Sequence, residues 1–97
     1  MPLTFEWDRQ KAASNLRKHK VSFEEAITVF GDPIALIFDD EKHSTAEEQR
    51  EILIGHSVRN RLLLICFTER EKDIIHMISA RPATKKERWN YEENATF

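Results

Sequence analysis

Basic and aromatic side chains near the ends of predicted helices and strands are the residues of this sequence best suited to chemistry. They are Lys18, His19, Arg50, His56, Arg81, Lys85, Arg88 and Tyr91. Such side chains suit the handling of a phosphodiester, because arginine pairs bidentately with phosphate and histidine, glutamate or tyrosine can move protons. RNA carries its own nucleophile, the ribose 2′-hydroxyl, so an enzyme need only orient that hydroxyl, transfer protons and neutralise the phosphorane. The residues therefore fit the handling of a phosphodiester without a metal ion.

Metal, nucleotide and acyl-transfer chemistry have no support in the sequence. The four histidines (His19, His43, His56 and His76) show neither i,i+4 helical spacing nor the intervals of a zinc site, and Cys66 is the single cysteine. We find no glycine-rich phosphate loop, no G-x-S-x-G motif and no local pair of cysteine and histidine. Cys66 lies in an apolar run and is interpreted as a small core residue. We therefore expect no metal site and no cofactor.

The same residues also have structural interpretations. Arg88 and Tyr91 are three positions apart on one helical face, which is ordinary for a solvated face with Trp89 turned towards packing. Arg81 at the end of a strand is commonly a surface charge, and His56 and His76 are commonly strand residues without a chemical role. Two classes of function stay open: a ribonuclease, and a non-catalytic module that binds RNA or protein through these residues.

The composition is that of one folded domain over residues 1–97. A chain of 97 residues with 40% hydrophobic and 33% charged residues can form a single core and is not disordered. Its longest apolar run, Leu62–Phe67, is far shorter than the ~20 residues that cross a bilayer, and the N-terminus has no hydrophobic signal core. We expect a cytoplasmic protein that makes no membrane contact.

The net charge of −2 hides an uneven distribution of charged residues. Residues 1–23 contain 5 basic and 2 acidic side chains, residues 24–51 contain 2 and 9, and residues 52–97 contain 8 and 6. This segregation suits a protein with one basic working face, although charges at this density also cluster by chance.

The hydrophobic pattern predicts a strand and two helices at the start of the chain. Alternation over Leu3–Trp7 indicates a half-buried strand, and Asp8 can cap a helix that extends to about Lys20. Ser22 opens a capping box before a second helix, which Gly31 is expected to end in a left-handed conformation.

Four strands and a final helix are predicted in the remainder. The strands are expected over Ile34–Phe38, Arg50–Val58, Arg61–Thr68 and Ile74–Ala80, and the first of them is expected to be buried. A surface loop over Asp39–Gln49 precedes the second of these strands, and Asn60 in a tight turn joins the second to the third. Thr84 starts a last helix through about Glu93, and residues 94–97 are expected to fray.

The predicted order β-α-α-β-β-β-β-α has no βαβ alternation. It indicates an α+β fold with helices packed on an antiparallel sheet. Because so few helices cover only part of five strands, one face of the sheet is expected to be open and to dock a partner.

Nearly the whole chain carries an ordered series of short motifs. They are Phe5-Glu6-Trp7-Asp8 with Lys11, Asn15-Leu16-Arg17-Lys18-His19, Val21-Ser22-Phe23-Glu24-Glu25-Ala26, Val29-Phe30-Gly31-Asp32, Arg50 five residues before Gly55, Ile78-Ser79-Ala80-Arg81-Pro82-Ala83, and Glu87-Arg88 with Tyr91-Glu92. In this series the chain resembles the BrnT-type toxins of bacterial type II toxin–antitoxin systems, which have a RelE-like ribonuclease fold. Two positions depart from the family pattern: Lys20 stands where glycine is usual, and His76 stands where arginine is usual. The first concerns a helix C-cap, and the second alters the phosphate-binding set, since imidazole is a weaker clamp than guanidinium.

The resemblance implies a metal-independent endoribonuclease that arrests growth and is neutralised by a BrnA-type antitoxin, through which alone operator DNA is contacted. By resemblance, the catalytic candidates are His19, Arg50, Arg81, Glu87, Arg88 and Tyr91, and the RNA-binding candidates are Lys11, Lys18, His76 and Lys85. We assign phosphate binding to the three arginines and proton transfer to His19, Glu87 or Tyr91. His19 is the preferred base, because imidazole is the side chain that titrates nearest neutrality. A homodimer and a toxin–antitoxin heterotetramer are both compatible with the resemblance.

Overall fold

Five strands and three helices make up most of residues 2–95, the part of the chain that the computed structural model describes. The strands are β1 (Thr4–Glu6), β2 (Leu36–Asp39), β3 (Arg50–His56), β4 (Leu62–Glu71) and β5 (Ile74–Pro82). The helices are α1 (Arg9–His19), α2 (Phe23–Ile27) and α3 (Lys85–Ala95), and a 3₁₀ turn over Thr28–Gly31 follows α2. The predicted α+β class and the predicted order of elements are confirmed. No helix within residues 2–95 is long and apolar enough to span a membrane.

The strands form one sheet in the order β1-β5-β4-β3-β2. Strands β2 to β5 are an antiparallel meander, as predicted. β1 lies parallel to β5 and pairs with its first three residues, Ile74 to His76, so the sheet as a whole is mixed. The second half of β5 therefore has no strand beside it on that edge within the described chain.

One face of the sheet, here called the core face, packs against α1 and α2. Because strand residues alternate between faces, Leu63, Ile65 and Phe67 of β4 all enter this core. They meet Phe23 of α2 and Met77 of β5, which are completely buried. The helices of the first part of the chain therefore supply one side of a single apolar layer.

The other face of the sheet, here called the open face, is approached at one end by α3. Ile54 and Leu62 form a small apolar cluster there with Tyr91 of that helix. The strand register arranges the side chains of this face in rows. The rows are Arg50, Thr68, His76 and Glu6; Phe38, Ile52, Cys66 and Ser79; and Leu36, Ile54, Leu64 and Arg81.

Helix caps and turns follow the predicted residues closely. Asp8 caps α1 and Ser22 caps α2, each accepting hydrogen bonds from backbone N–H groups of the first turn. Lys20 ends α1 with a φ of 60°, and Asn60 has a φ of 61° in the turn between β3 and β4. Lys20 thus adopts the left-handed conformation that glycine would adopt with less strain.

A buried ion pair ties that turn to α2. Glu25 is 7% exposed, and its carboxylate accepts hydrogen bonds from the guanidinium of Arg61 and from the hydroxyl of Ser57. Nη2 of Arg61 also donates to the carbonyl oxygen of Lys20 at 2.9 Å. The pKa of Glu25 is lowered, chiefly by the hydrogen bonds from Arg61, so the pair stays charged at neutral pH.

The prediction that the strand after Gly31 is buried is wrong. β2 is an edge strand with β3 as its single neighbour in the sheet, and it starts at Leu36. Ile37 is 56% exposed and Phe38 is 50% exposed. An apolar run indicates a strand, but its place in the sheet order decides whether the strand is covered.

Two helix ends also differ from prediction. α2 ends at Ile27 and tightens into the 3₁₀ turn, in which Gly31 does not have a positive φ. α3 continues to Ala95, so Asn94 is helical rather than frayed. Residues 96 and 97 of the predicted frayed tail lie outside the described residues.

Candidate functional site

The open face collects predicted site residues at two separate positions. Arg50 and His76 lie in one row, on either side of Thr68, whereas Arg81 lies in the row of Leu64. Leu64 and Thr68 are four residues apart on β4, which separates the two rows by about 13 Å. We call these positions the Arg50 end and the Arg81 end of the open face.

At the Arg81 end, Arg81 forms a bidentate ion pair with Glu87 of α3. Nη1 and Nη2 of Arg81 each lie 2.8 Å from a carboxylate oxygen of Glu87. The same carboxylate accepts from the backbone N–H of Thr84, and the Thr84 hydroxyl accepts from the N–H of Glu87, so the predicted capping box is complete. These contacts, chiefly the hydrogen bonds from Arg81, lower the pKa of Glu87 to about 2. Glu87 is therefore ionised at neutral pH and neutralises the guanidinium beside it.

Tyr91 anchors α3 to the sheet. Tyr91 is 3% exposed, whereas Trp89 is 61% exposed, so the predicted packing role of Trp89 is wrong. The apolar residues of this helix are too few to define a face by their spacing. Desolvation raises the pKa of the Tyr91 phenol, whose oxygen lies 3.5 Å from the carbonyl oxygen of Ile34. The phenol therefore stays protonated at neutral pH.

A groove of about 550 Å³ runs between α3 and the open face. Its sheet side is formed by Leu36, Ile37, Phe38, Ile52, Ile54 and Leu64, and its other side by Arg81, Glu87, Asn90, Tyr91 and Asn94. The sheet side is apolar, and the ion pair of Arg81 and Glu87 is part of the polar side. A concave apolar surface with a few polar groups is the usual form of a binding site.

Paired charges occupy the Arg50 end. Nε of Arg50 donates to Oε1 of Glu48 at 2.8 Å. Nδ1 of His76 lies 3.2 Å from Oε2 of Glu6, and Nη1 of Arg70 lies 3.6 Å from the same oxygen. Sequence reasoning missed Glu6 and Arg70, because they come from different strands and no local motif marks either of them.

Lys11, Lys18 and His19 lie on α1, beside the edge of β5. They line a cleft of about 190 Å³ whose other residues are Ser14, Asn15, Ile78 and Ser79. Asn15 takes the place of a strand at this edge, because its side chain accepts from the N–H of Ala80 at 3.0 Å and donates to the carbonyl oxygen of Ala80 at 2.8 Å. The cleft reaches Ser79, which belongs to the middle row of the open face. Lys11, Lys18 and His19 thus form a basic border along one side of that face.

Lys85 and Arg88 are exposed residues of α3. Neither lines the groove or the edge cleft. The structure brings Arg81 together with Glu87 and does not add Arg88 to that pair.

Two further residues near the site have structural surroundings. The ring of His56 packs edge-on against Tyr91 at 5.7 Å, and its backbone N–H donates to Asp32 at 2.7 Å. Cys66 points to the open face and is half-buried, so its prediction as a core residue is wrong. Desolvation raises the pKa of its thiol, which is therefore protonated at neutral pH.

The arrangement offers guanidinium groups for a phosphate and an imidazole for proton transfer. Among residues 2–95, no three His, Cys, Asp or Glu side chains are grouped so as to hold a metal ion. The groups present are those that phosphodiester cleavage through an internal nucleophile would use.

Comparisons with known proteins add a family and a fold. Residues 7–87 match the family model described as the ribonuclease toxin BrnT of type II toxin–antitoxin systems. The fold is similar to the 1.1 Å crystal structure of the Brucella abortus ribonuclease toxin BrnT, with a TM-score of 0.65 and 21% sequence identity. That alignment covers 86% of this chain and 99% of the other. A comparison with curated proteins finds no match.

Proposed function

Because the chain belongs to the BrnT family of ribonuclease toxins of type II toxin–antitoxin systems, we propose that it cleaves RNA without a metal ion, through attack of the ribose 2′-hydroxyl on the adjacent phosphate. The observation that carries this mechanism is the open face, where Arg50, His76 and Arg81 lie on the same side of one sheet. The reaction takes place in the cytoplasm, where its substrate is, and its consequence is growth arrest.

The arginines bind the scissile phosphate and its neighbours. Arg50 and Arg81 present planar guanidinium groups, which match phosphate oxygens and the developing charge of a phosphorane. The two are separated by about 13 Å along the strands and by two strand spacings across them, so they are placed to contact different phosphates of one RNA strand. Arg88, Lys85 and the basic border of α1 then contact the strand on either side of the cleaved bond.

His19, Glu87 and Tyr91 are the residues to which we assign proton transfer from the sequence. Glu87 is bound to both Nη atoms of Arg81, and its lowered pKa makes the carboxylate a weak base and leaves it no proton to donate. Tyr91 keeps its proton, and its side chain is buried between α3 and the sheet. It therefore suits a structural role or the role of a general acid. His19 in the edge cleft remains accessible for either role.

Cleavage chemistry distinguishes this proposal from a non-catalytic binding module. We expect purified protein to shorten RNA in excess EDTA and to leave 2′,3′-cyclic or 3′-phosphate ends, because the nucleophile is internal and no metal is used. Cleavage that requires Mg²⁺ and leaves a 3′-hydroxyl would rule out the mechanism. Binding of RNA without any shortening would favour the binding module.

The groove beside α3 is our proposed docking surface for a protein antitoxin of BrnA type. A type II toxin has an antitoxin, and an apolar groove that includes the half-exposed Phe38 can take the apolar side chains of a partner segment. A bound antitoxin would also cover Arg81 and block the phosphate site. Operator DNA is then contacted through the antitoxin alone, in either a heterotetramer or a simpler complex.

A matched pair of variants tests this docking surface. Phe38→Asp places a charge at the groove, because Phe38 lies on the open face and is half exposed, and it should abolish co-purification with the co-expressed antitoxin, whereas Val58→Asp should not. Val58 is the control because it is 78% exposed and lies in the turn between β3 and β4, away from the groove. Equal complex formation by both variants in size-exclusion chromatography would remove the groove from consideration.

A further inference from the structure

We infer that His76 is the general base of the cleavage reaction and that Glu6 is the residue that positions it. The inference rests on the proposed ribonuclease function and goes beyond it, because His76 was expected only to bind RNA. Its basis is the geometry of the Arg50 end, where an imidazole, a carboxylate and two guanidinium groups come together from β1, β3, β4 and β5.

The contact with Glu6 selects the tautomer that a base needs. Nδ1 of His76 lies 3.2 Å from Oε2 of Glu6. An ionised carboxylate can only accept, so Nδ1 carries the hydrogen and Nε2 keeps its lone pair. Nε2 is therefore the atom that can accept a proton. Glu6 also stabilises the imidazolium that results, as a carboxylate does in other histidine-based sites.

Guanidinium groups lie on both sides of this imidazole. Arg70 lies 3.6 Å from the same oxygen of Glu6. Arg50 lies in the row of His76 on the far side of Thr68, about 10 Å away across two strand spacings. The pKa of Glu48 is lowered chiefly by its hydrogen bond from Arg50 and further by the charge of Arg70, so both guanidinium groups act on one small region. A phosphate held by the two arginines would lie beside Nε2.

Polar and charged side chains near His76 come from each strand around it and from one loop. They are Glu6 from β1, Thr68 and Arg70 from β4, Arg50 from β3 and Glu48 from the loop before it. The Thr68 hydroxyl donates to the carbonyl oxygen of Gln49 at 2.7 Å and does not compete for the imidazole. Glu6 is the one of these groups in direct contact with the ring.

The reaction balances with water as the only co-reactant. Nε2 of His76 takes the proton of the 2′-hydroxyl while the 2′-oxygen forms its bond to phosphorus. The bond from phosphorus to the 5′-oxygen breaks, and that oxygen keeps the electron pair and takes a proton from water. The hydroxide so formed removes the proton from the imidazolium, which returns His76 to its neutral state.

The test is steady-state cleavage of a short RNA from pH 5 to pH 8, the range in which imidazoles take up a proton. We expect His76→Gln to lower kcat by about 100-fold or more, with little change in KM, and to remove the loss of rate at acid pH. His76→Arg restores the residue that is usual in the family and should bind RNA but cleave no faster than His76→Gln. Glu6→Gln should lower kcat less than His76→Gln does, with KM unchanged, because an amide can also donate to Nδ1 and no longer selects the tautomer that leaves Nε2 free.

His43→Gln is the matched control. Nδ1 of His43 lies 2.9 Å from Asp40, so it is another histidine–carboxylate pair, but it belongs to the loop between β2 and β3 and should leave kcat and the pH profile unchanged. Wild-type rates from His76→Arg would show that residue 76 is a phosphate clamp and would overturn the inference. So would an unchanged kcat in Glu6→Gln, which decides the matter if both His76 variants unfold. A wild-type protein that does not cleave RNA at all would instead overturn the ribonuclease proposal, and the assignment of a base falls with it.

Discussion

Replacement of Glu87 by glutamine tests how much the ion pair at the Arg81 end contributes to stability. The pKa of Glu87 falls from its usual 4.5 to about 2, chiefly through the hydrogen bonds from Arg81. At 1.36 kcal/mol per pH unit, that difference corresponds to about 3.4 kcal/mol for a fully shielded group. The side chains of Arg81 and Glu87 are 36% and 28% exposed, so solvent screening reduces the contribution to about 1 kcal/mol.

The sign of the pH dependence follows from the direction of the pKa change. A carboxyl group with a lowered pKa in the folded state contributes stability that is fully present above about pH 4.5 and is lost as the pH falls towards 2. Urea unfolding at pH 7 should therefore show wild type about 1 kcal/mol more stable than Glu87→Gln, and the two proteins should converge near pH 2.

Other carboxylates also titrate in this range, so the difference between variant and wild type is the quantity to measure. Glu92→Gln is the control, because Glu92 is an exposed residue of the same helix and should give the wild-type pH dependence. A constant gap between wild type and Glu87→Gln from pH 7 to pH 2 would refute the reasoning, since the loss would then come from something other than the charge.

Three further substitutions have expected outcomes. Arg81→Ala should abolish growth arrest on induction and reduce RNA cleavage by about 100-fold or more, and Arg81→Lys should restore part of the activity, because lysine keeps the charge without the planar guanidinium. Normal growth arrest by Arg81→Ala would place the phosphate contact elsewhere. Tyr91→Ala should lower the free energy of unfolding by about 3 kcal/mol, and Tyr91→Phe by less than about 1 kcal/mol, because packing of the ring holds α3 and the 3.5 Å contact of the hydroxyl with Ile34 contributes little. Equal losses for the two variants in urea unfolding would contradict this. Arg61→Ala should lower the free energy of unfolding by about 2 kcal/mol, because the buried carboxylate of Glu25 loses its hydrogen bonds from Arg61 and keeps those of Ser57 and the longer ion pair with Arg59. A loss below about 1 kcal/mol in urea unfolding would show that Ser57, Arg59 and water compensate.

Local signals in the sequence were sufficient for the fold class and for most element boundaries. Asp8, Ser22 and Thr84 cap the three helices as predicted, since a cap depends on residues within one turn. Asn60 marks the turn between β3 and β4 for the same reason. The parallel pairing of β1 with β5 has no comparable local signal, because it joins segments about 70 residues apart in the chain.

The candidate site was less accessible from the sequence. Glu6 and Arg70 meet His76 through strand register, which no spacing along the chain reports. The roles of Trp89 and Tyr91 were exchanged because α3 lacks a clear apolar stripe, so its orientation depends on the surface against which it packs. Family resemblance supplied the residues of the site, while their grouping into two ends and a border required the three-dimensional structure.

The exposed edge of β2 has a consequence for the toxin when it is alone. This strand has one neighbour in the sheet, and Ile37 and Phe38 are at least half exposed. Free backbone groups along an apolar edge are a template for the strand of another molecule, including an identical one. Toxin without a partner therefore carries a surface that favours self-association. A strand added to β2 by a partner would satisfy these backbone groups and cover the apolar edge.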